Sequence, residues 1–241
     1  MVLNLLHSKR VFDYVSQHVV CSVPLRERRI ALTFDDGPNP SATPRLLRLL
    51  DACQVRATFF LVGRNVRRYP ALTADIASRG HEIGNHTHNH MLMPVLPRAM
   101  MLREMERASH AIHAATGQRP RLFRPPMGWF SRSMLRTLAE SGYRPILGDV
   151  HPQDTTRPGA DEIVRRVLAR VGPGSIVILH DGSALGPADR HQSVDAAEKL
   201  ISHLHGESYS LGTVTQLLEA GECEARASGP NDDLAAAGVG S

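Results

Sequence analysis

Strand-like apolar runs alternate with amphipathic stretches along most of this chain. The apolar runs, each short enough for a buried strand, lie at 30–34, 56–62, 81–84, 121–124, 144–147 and 175–180. The intervening stretches have helical periodicity and lie at 41–54, 70–79, 98–116, 131–141, 160–171, 193–205 and 214–220. Repeated β-then-α order is typical of a parallel sheet with helical crossovers, so we predict an α/β protein, built as a barrel or a doubly wound sheet.

Cap residues mark the ends of several predicted helices. Thr43 is a candidate N-cap, with Pro44 at the first helical position. Ser131 is a candidate N-cap of a later helix, which Gly142 ends. The long helix at 98–116 is followed by Gly117, the residue type that most readily ends a helix.

The chain length predicts one domain with less ordered ends. Its 241 residues are 42% apolar, which is enough for one core and excludes a wholly disordered chain. We expect a lead-in at 1–25, with a helix at 9–20, and a catalytic domain at 26–220. The polar composition of 221–241 predicts a disordered tail.

Charge and cysteine content exclude several classes of protein. The net charge of +4 is spread along the sequence, so we expect no nucleic-acid partner. The widely spaced Cys21, Cys53 and Cys223 indicate neither a disulfide framework nor a thiolate zinc site. No stretch reaches the roughly 18 apolar residues of a membrane span, and charges interrupt the apolar N-terminus before an export signal forms. The sequence by itself therefore predicts a cytoplasmic protein without stable membrane insertion.

Ionisable side chains follow nearly every predicted strand. They are Asp35, Asp36, His86, His88, His90, Arg124, Asp149, Asp154, His180 and Asp181. Because parallel α/β folds place their sites at the carboxyl ends of strands, we expect these groups to meet at one rim.

Two of these groups suggest a metal site. On a helix or tight turn, the four-residue spacing of His86 and His90 puts both imidazoles on one side. A carboxylate from Asp35 or Asp36 would complete a set that leaves positions open for water and substrate. Side chains alternate along an extended segment, so one aspartate would bind the metal and the other would face water or a cation. The alternatives are capping histidines and a simple Asp-Asp-Gly turn.

Four segments, in order, resemble motifs of one enzyme family. They are Thr33-Phe34-Asp35-Asp36-Gly37-Pro38, the His86–His90 segment, Arg124-Pro125-Pro126-Met127-Gly128, and Leu179-His180. With these motifs the chain resembles the polysaccharide deacetylases with a NodB homology domain, carbohydrate esterase family 4, over residues 30–218. The resemblance implies a single-domain α/β fold of the distorted (β/α)7-barrel type.

The resemblance also implies a divalent metal, usually zinc, with cobalt and nickel as alternatives. The residues matching the metal ligands are Asp36, His86 and His90. Asp35 matches the general base and His180 the general acid. Arg124 would pair with Asp35, and Asp154 would orient His180.

Three further residues are implied to contact substrate. The backbone N–H of Met127 would stabilise the oxyanion, and Leu179 would form one wall of the acetyl pocket. Trp129 would stack on a sugar ring, with core packing as the alternative. Thr155 stands where the family usually has tryptophan, which alters the other wall.

The implied reaction is removal of N-linked acetyl groups from N-acetylglucosamine units of a chitooligosaccharide, peptidoglycan or exopolysaccharide. The partner is then an N-acetylated glycan, and the location extracytoplasmic, in contrast to the sequence-only prediction. One alternative is a metal-dependent amidase, deformylase or esterase acting on a small or lipid-linked substrate. A second is a catalytically silent carbohydrate-binding protein. The oligomeric state stays open.

Overall fold

The computed structural model describes residues 17–184, 186 and 188–227. The strands in these residues are β1 Arg29–Asp35, β2 Thr58–Leu61, β3 Glu82–Asn85, β4 Leu122–Phe123, β5 Arg144–Pro145, β6 Ile176–His180 and β7 Ser210–Gly212. The α-helices are α1 Thr43–Ala52, α2 Gly63–Arg68, α3 Pro70–Ser78, α4 Arg98–Thr116, α5 Arg132–Glu140, α6 Ala160–Leu168, α7 His191–Gly206 and α8 Val214–Ala227. Single 3₁₀ turns lie at Met93–Val95, Pro126–Gly128 and Asp154–Thr156.

All strand pairs in the sheet are parallel. The order is β5-β4-β3-β2-β1-β6, and β7 also pairs with β1. The register places Asp35 at the end of β1 opposite both Phe60 of β2 and His180 of β6. Further parallel bridges, Val20 to Ile146 and Val150 to Val177, extend the sheet at both ends. This curled parallel sheet with surrounding helices confirms the predicted α/β fold of a single domain.

The core lies between the sheet and its helices. Six of the seven residues of β1 are buried, which explains its nearly continuous apolar run, since a central parallel strand is covered on both faces. The largest apolar cluster joins Phe34 and Phe59 of the sheet to Leu46 of α1 and Leu200 of α7. Packing of this kind fixes the strand ends, where the polar residues lie.

Helix boundaries follow the sequence signals with one informative difference. Helix α4 spans the predicted residues 98–116 and ends at Gly117, which is left-handed with φ 73°. Thr43 does not cap α1, because the helix begins at Thr43 itself and has no side-chain cap. The Thr43 hydroxyl instead accepts a hydrogen bond from Asn39 N at 2.8 Å and donates one to the buried Asp181.

The domain ends are more ordered than the composition suggests. Helix α8 continues to Ala227, so the prediction of a disordered tail is wrong for 221–227. One reason is that the Glu224 carboxylate accepts the backbone N–H groups of Arg26 and Glu27 at 3.0 and 3.1 Å. The rest of the predicted tail and most of the predicted helix at 9–20 lie outside the described residues. In the described part of the chain, no helix is long and apolar enough to cross a membrane.

Candidate active site

A cleft of about 820 Å³ opens at the carboxyl ends of the strands. Its lining includes six of the residues that the sequence singled out: Asp35, Asp36, His86, His90, Arg124 and His180. They come from the ends of β1, β3, β4 and β6, which the parallel sheet order brings to one edge. The convergence at one rim that the strand-end pattern predicted is therefore present for these residues, whereas His88, Asp154 and Asp181 lie outside the cleft lining.

Asp35 and Asp36 both line the cleft, although alternation on an extended strand would send them to opposite sides. The reason is that Asp36 lies beyond β1 with a left-handed backbone, φ 72°. Gly182 makes this turn possible, because a Cβ there would lie 2.1 Å from the carbonyl oxygen of Asp36. Asn65 holds the same carbonyl through its side-chain N–H at 2.9 Å.

His86 and His90 lie on a tight turn rather than a helix. Thr87 and His90 have left-handed backbones, with φ 66° and 59°. Within the turn, the backbone N–H of Thr87 donates to Asn85 Oδ1 at 2.8 Å, and that of His90 donates to Thr87 Oγ1 at 3.0 Å. The turn brings the two imidazole centroids to 5.0 Å from each other.

Three potential ligand atoms converge between the turn and the end of β1. Asp36 Oδ1 lies 3.1 Å from His90 Nε2 and 3.6 Å from His86 Nε2. That oxygen is buried and has no hydrogen-bond partner among the described residues. A buried, unpartnered carboxylate oxygen is costly unless a cation or donor balances it, so this donor set fits a divalent metal.

The protonation states of His86 and Asp36 favour metal binding. His86 Nδ1–H donates to the carbonyl of Arg124 at 2.7 Å, which leaves the Nε2 lone pair facing Asp36. Burial holds the pKa of His86 below its usual value, so this imidazole stays neutral. Burial opposes ionisation of Asp36, but the facing imidazole of His90 and the nearby His180 and His86 keep the pKa of Asp36 well below the ordinary range.

Asp35 has a different partner from Asp36. Arg124 Nη1 donates to Asp35 Oδ1 at 2.6 Å and to Thr33 Oγ1 at 2.8 Å. The guanidinium carbon also lies 4.0 Å above the centre of the Phe60 ring, and the arginine is 2% exposed. A fixed cation thus holds the Asp35 side chain beside the cluster of potential metal ligands.

His180, the last residue of β6, is held by Asp154. Asp154 Oδ1 accepts from His180 Nδ1 at 2.8 Å, and Oδ2 accepts from the backbone N–H of His180 at 2.9 Å and from Ser193 Oγ at 2.7 Å. Burial disfavours the imidazolium, yet the Asp154 carboxylate raises the pKa of His180 to about 9. His180 is therefore an oriented proton donor at neutral pH.

Of the residues predicted to contact substrate, Met127 lines the cleft, whereas Trp129 and Leu179 do not. Met127 lines the cleft, is 60% exposed and has φ 62°. Trp129 is half-buried and lies outside the set of described residues that line the cleft. The prediction for Leu179 is wrong: it is fully buried in the core, while Ile178 lines the cleft together with Thr155. Since side chains alternate along β6, the residue two before His180 shares its face, and the adjacent one does not.

Other side chains near the cleft carry less distinctive sequence signals. His151 lines it with a ring centroid 5.7 Å from that of His180. Asp149 lines it too, but its carboxylate accepts from Ser175 Oγ and Ile176 N and so has a structural role. Arg166 of α6, also at the rim, donates to Glu162 and to the carbonyl of Pro152. No sequence signal distinguished Arg166 from the other charged residues of its helix.

His88 lies on the reverse side of the turn that carries His86 and His90. It is only 3% exposed. Its Nδ1 packs so closely against Gly63 that a Cβ on that glycine would lie 2.6 Å away. Next to it opens a second cavity of about 1420 Å³, which has none of the proposed metal-binding residues in its lining. His88 is therefore a packing residue behind the site.

Comparison with known proteins is consistent with this geometry. The family model described as polysaccharide deacetylase matches residues 22–146. A peptidoglycan-N-acetylglucosamine deacetylase of Bacillus cereus is 37% identical over 203 residues, which are 83% of this chain and 93% of that protein. A chitooligosaccharide deacetylase of a Bradyrhizobium species is 39% identical over 198 residues, covering 79% of this chain and 90% of the relative.

A solved structure agrees at the level of the whole fold. It is a peptidoglycan N-acetylglucosamine deacetylase in complex with a naphthyl-substituted N-hydroxybenzamide. The two chains are 30% identical and superpose with a TM-score of 0.81 over 86% of this chain and 95% of the other. The match therefore extends well beyond the segment that the family model covers.

Proposed function

Because the chain belongs to the polysaccharide deacetylase family, a family of metal-dependent hydrolases acting on carbon–nitrogen bonds, we propose that it removes acetyl groups from N-acetylglucosamine units of a glycan. The observation that carries the proposal is the three-ligand cluster of Asp36, His86 and His90, which shares its cleft with an Arg124-bound carboxylate and an Asp154-bound imidazole. Amide hydrolysis needs these parts together: an activated water, an electrophile and a proton donor.

Asp36, His86 and His90 would hold the metal. Two imidazoles and one carboxylate are typical zinc ligands that leave coordination positions open, so zinc is the proposed ion, with cobalt or nickel as substitutes. When bound, the ion supplies Lewis acidity that polarises the amide carbonyl and acidifies water.

Asp35 is the proposed general base. Arg124 fixes its Oδ1, which leaves the second oxygen available to take a proton from the attacking water. The arginine also keeps the carboxylate oriented, because the guanidinium is anchored by Thr33 and Phe60. In this role Arg124 is a positioning residue for the base.

His180 is the proposed general acid for the departing amine. Asp154 holds Nδ1, so the ring presents Nε2–H toward the cleft, where it protonates the leaving nitrogen. The backbone N–H of Met127 would stabilise the tetrahedral oxyanion from the cleft wall. We assign Trp129, beyond the cleft, to stacking against a more distant sugar.

We propose as the catalytic unit the predicted domain at 26–220 together with the rest of α8, which ends at Ala227. Its relatives are named for peptidoglycan and for chitooligosaccharides, so either glycan, or an N-acetylated exopolysaccharide, is a candidate substrate. A cell-wall substrate would require the protein to act outside the cytoplasm.

The test is acetate release from chitooligosaccharides and from peptidoglycan fragments. We expect release to stop after chelation and to return with zinc or cobalt. Activity confined to small amides, formamides or esters would replace the proposed substrate while keeping the hydrolase. Glycan binding without turnover in the zinc-loaded protein would instead indicate a silent binding protein.

A further inference from the structure

Glu104 is a buried carboxylate that contacts the metal-site turn from behind. It lies in the middle of α4 and is 4% exposed. Its Oε2 accepts the backbone N–H groups of His88 and Asn89 at 3.2 and 2.7 Å, and its Oε1 accepts from Asn89 Nδ2 at 2.6 Å. A buried carboxylate is tolerated when hydrogen bonds satisfy it, and every one of these bonds goes to the segment between His86 and His90.

Helix α4 also holds the start of the same turn. Asn85 Nδ2 lies 2.9 Å from the carbonyl oxygen of Met105, and Asn85 Oδ1 accepts from the backbone N–H of Thr87. The turn is therefore fastened to one helix at Asn85 and again at His88 and Asn89. His86 lies between these fastened points and His90 directly follows them, and both imidazoles face Asp36.

The turn needs such support because its backbone is strained. Thr87 and His90 are non-glycine residues with left-handed φ, a conformation that persists only where surrounding contacts impose it. If the turn relaxed, the two imidazoles would separate, and only the fraction of molecules with the turn formed would bind the ion at full affinity.

We propose that Glu104 is a positioning residue that sets the metal affinity of the site by holding the His86–His90 turn in its binding conformation. The inference rests on the proposed metal site, and it concerns a helix residue that contacts neither the ion nor the substrate. The carboxylate is suited to the task because it only accepts hydrogen bonds, and three donors surround it.

Glu104→Gln separates this role from simple packing. The glutamine has nearly the same shape, but it accepts the backbone N–H groups without a negative charge, and its NH₂ group faces Asn89 Nδ2, so the Asn89 amide must turn over to accept from it. Adding Asn89→Asp reverses the hydrogen bond between the side chains of residues 104 and 89. The glutamine NH₂ then donates to the new carboxylate, while the glutamine oxygen still accepts the two backbone N–H groups. The double variant should therefore restore the turn.

The experiment measures zinc affinity by competition with a chromophoric chelator, at a temperature where each metal-free variant is folded. We expect Glu104→Gln to weaken zinc binding by roughly 10- to 100-fold, as loss of supporting hydrogen bonds does at metal sites. The double variant should recover most of that loss. At saturating zinc, kcat of Glu104→Gln should return toward the wild-type value.

Two controls isolate the effect. Glu106→Gln changes an exposed carboxylate of the same helix and should leave zinc affinity unchanged. Ile112→Ala removes a fully buried α4 side chain away from the turn, so it should lower the melting temperature without changing zinc affinity. An equal loss of affinity in Ile112→Ala would overturn the proposal, because general destabilisation would then explain the result.

Other results also contradict the proposal. Wild-type zinc affinity in Glu104→Gln would do so, as would a folded double variant with no recovery. If the wild type binds zinc, and loses it in His86→Ala, but deacetylates no glycan, the proposed function fails while the role of Glu104 stands. If the wild type binds no zinc, both proposals fail.

Discussion

Asp35 and Asp36 are adjacent and chemically identical, yet their surroundings prepare them for different tasks. Asp35 is the last residue of β1 and receives the guanidinium of Arg124. Asp36 follows with a left-handed backbone and faces two imidazoles. Their difference comes from a reversal of backbone direction at one residue, which places both carboxylates in the cleft with different neighbours.

This division predicts that two substitutions lower activity alike but differ in their effect on zinc content. Asp35→Asn removes the base but not the proposed ligands, so kcat should fall by about 10²- to 10⁴-fold while zinc content stays near wild type. His86→Ala should lower zinc content together with activity. The measurements are acetate release and metal analysis on the same samples. Retained kcat in Asp35→Asn would show that another group takes the proton.

His180 gives a prediction about pH. Asp154, acting against burial, raises the pKa of His180 from 6.5 to about 9. A raised pKa in the folded state stabilises the fold below pH 6.5, and that stabilisation is lost as pH rises through about 9. In the metal-free protein, an NMR titration should find His180 charged at pH 7. Asp154→Asn should lower the pKa of His180 and flatten the decline of unfolding free energy between those pH values; an unchanged titration would refute the pairing.

At the residue scale, motif order predicted which side chains converge but not which way each one faces. Leu179 was expected at the acetyl pocket, but strand alternation places Ile178 in the cleft and Leu179 in the core. The sequence could have predicted this placement, because residues two apart on a strand share a face, and Ile178 is two residues before His180. Glu104 had no such signal, since a glutamate in an amphipathic helix is ordinarily a surface residue.

Helix ends were the most predictable part of the elements. Ser131 was expected to cap α5, and its side chain accepts the backbone N–H of Met134 at 3.2 Å. Ser131→Ala should therefore lower the free energy of unfolding by about 1 kcal/mol. Ser133→Ala, at an exposed position inside the same helix, should change it by less than about 0.5 kcal/mol. Denaturant unfolding compares the two, and equal effects would mean that the cap contributes nothing.

The missed elements are the short ones. Helix α2 has six residues and β7 has three, which is too few for a period of either kind to stand out. Helix α2 packs closely against α4, since a Cβ on Gly63 would lie 2.7 Å from the Cα of Ala108. Contacts between elements far apart in sequence leave no local pattern to detect.

That approach makes Gly63→Ala a test of helix packing. The added methyl group would collide with the backbone of α4 and with the His88 ring, so one of them must move. We expect a loss of about 1–3 kcal/mol in the free energy of unfolding, the usual range for overpacking. Gly172→Ala is the matched control, because a Cβ there meets nothing within 4 Å. Equal stability of the two variants would show that α2 and α4 separate without cost.

At the scale of the whole molecule, the site depends on sheet order more than on any single motif. The proposed ligands follow β1 and β3, and the proposed acid His180 is the last residue of β6. In the sheet, β2 separates β1 from β3, while β6 adjoins β1 directly. Sequence periodicity predicted the parallel class, and with it the shared rim. The strand order itself comes from pairing between strands that are far apart in the sequence. For that reason the sequence pattern alone did not decide between a barrel and a doubly wound sheet.

A metal bound at this rim would join segments that are distant along the chain, so it should stabilise the entire fold. An ion that binds the native state only, present at about 100 times its dissociation constant, adds about 2.7 kcal/mol to the free energy of unfolding. We expect zinc to raise the melting temperature accordingly in the wild type and in His110→Ala, which changes an exposed histidine of α4. In His90→Ala the increase should largely disappear, because Asp36 Oδ1 loses its nearest imidazole nitrogen, 3.1 Å away. Zinc that stabilised His90→Ala as much as the wild type would have to bind elsewhere, and the cleft would then not be the metal site.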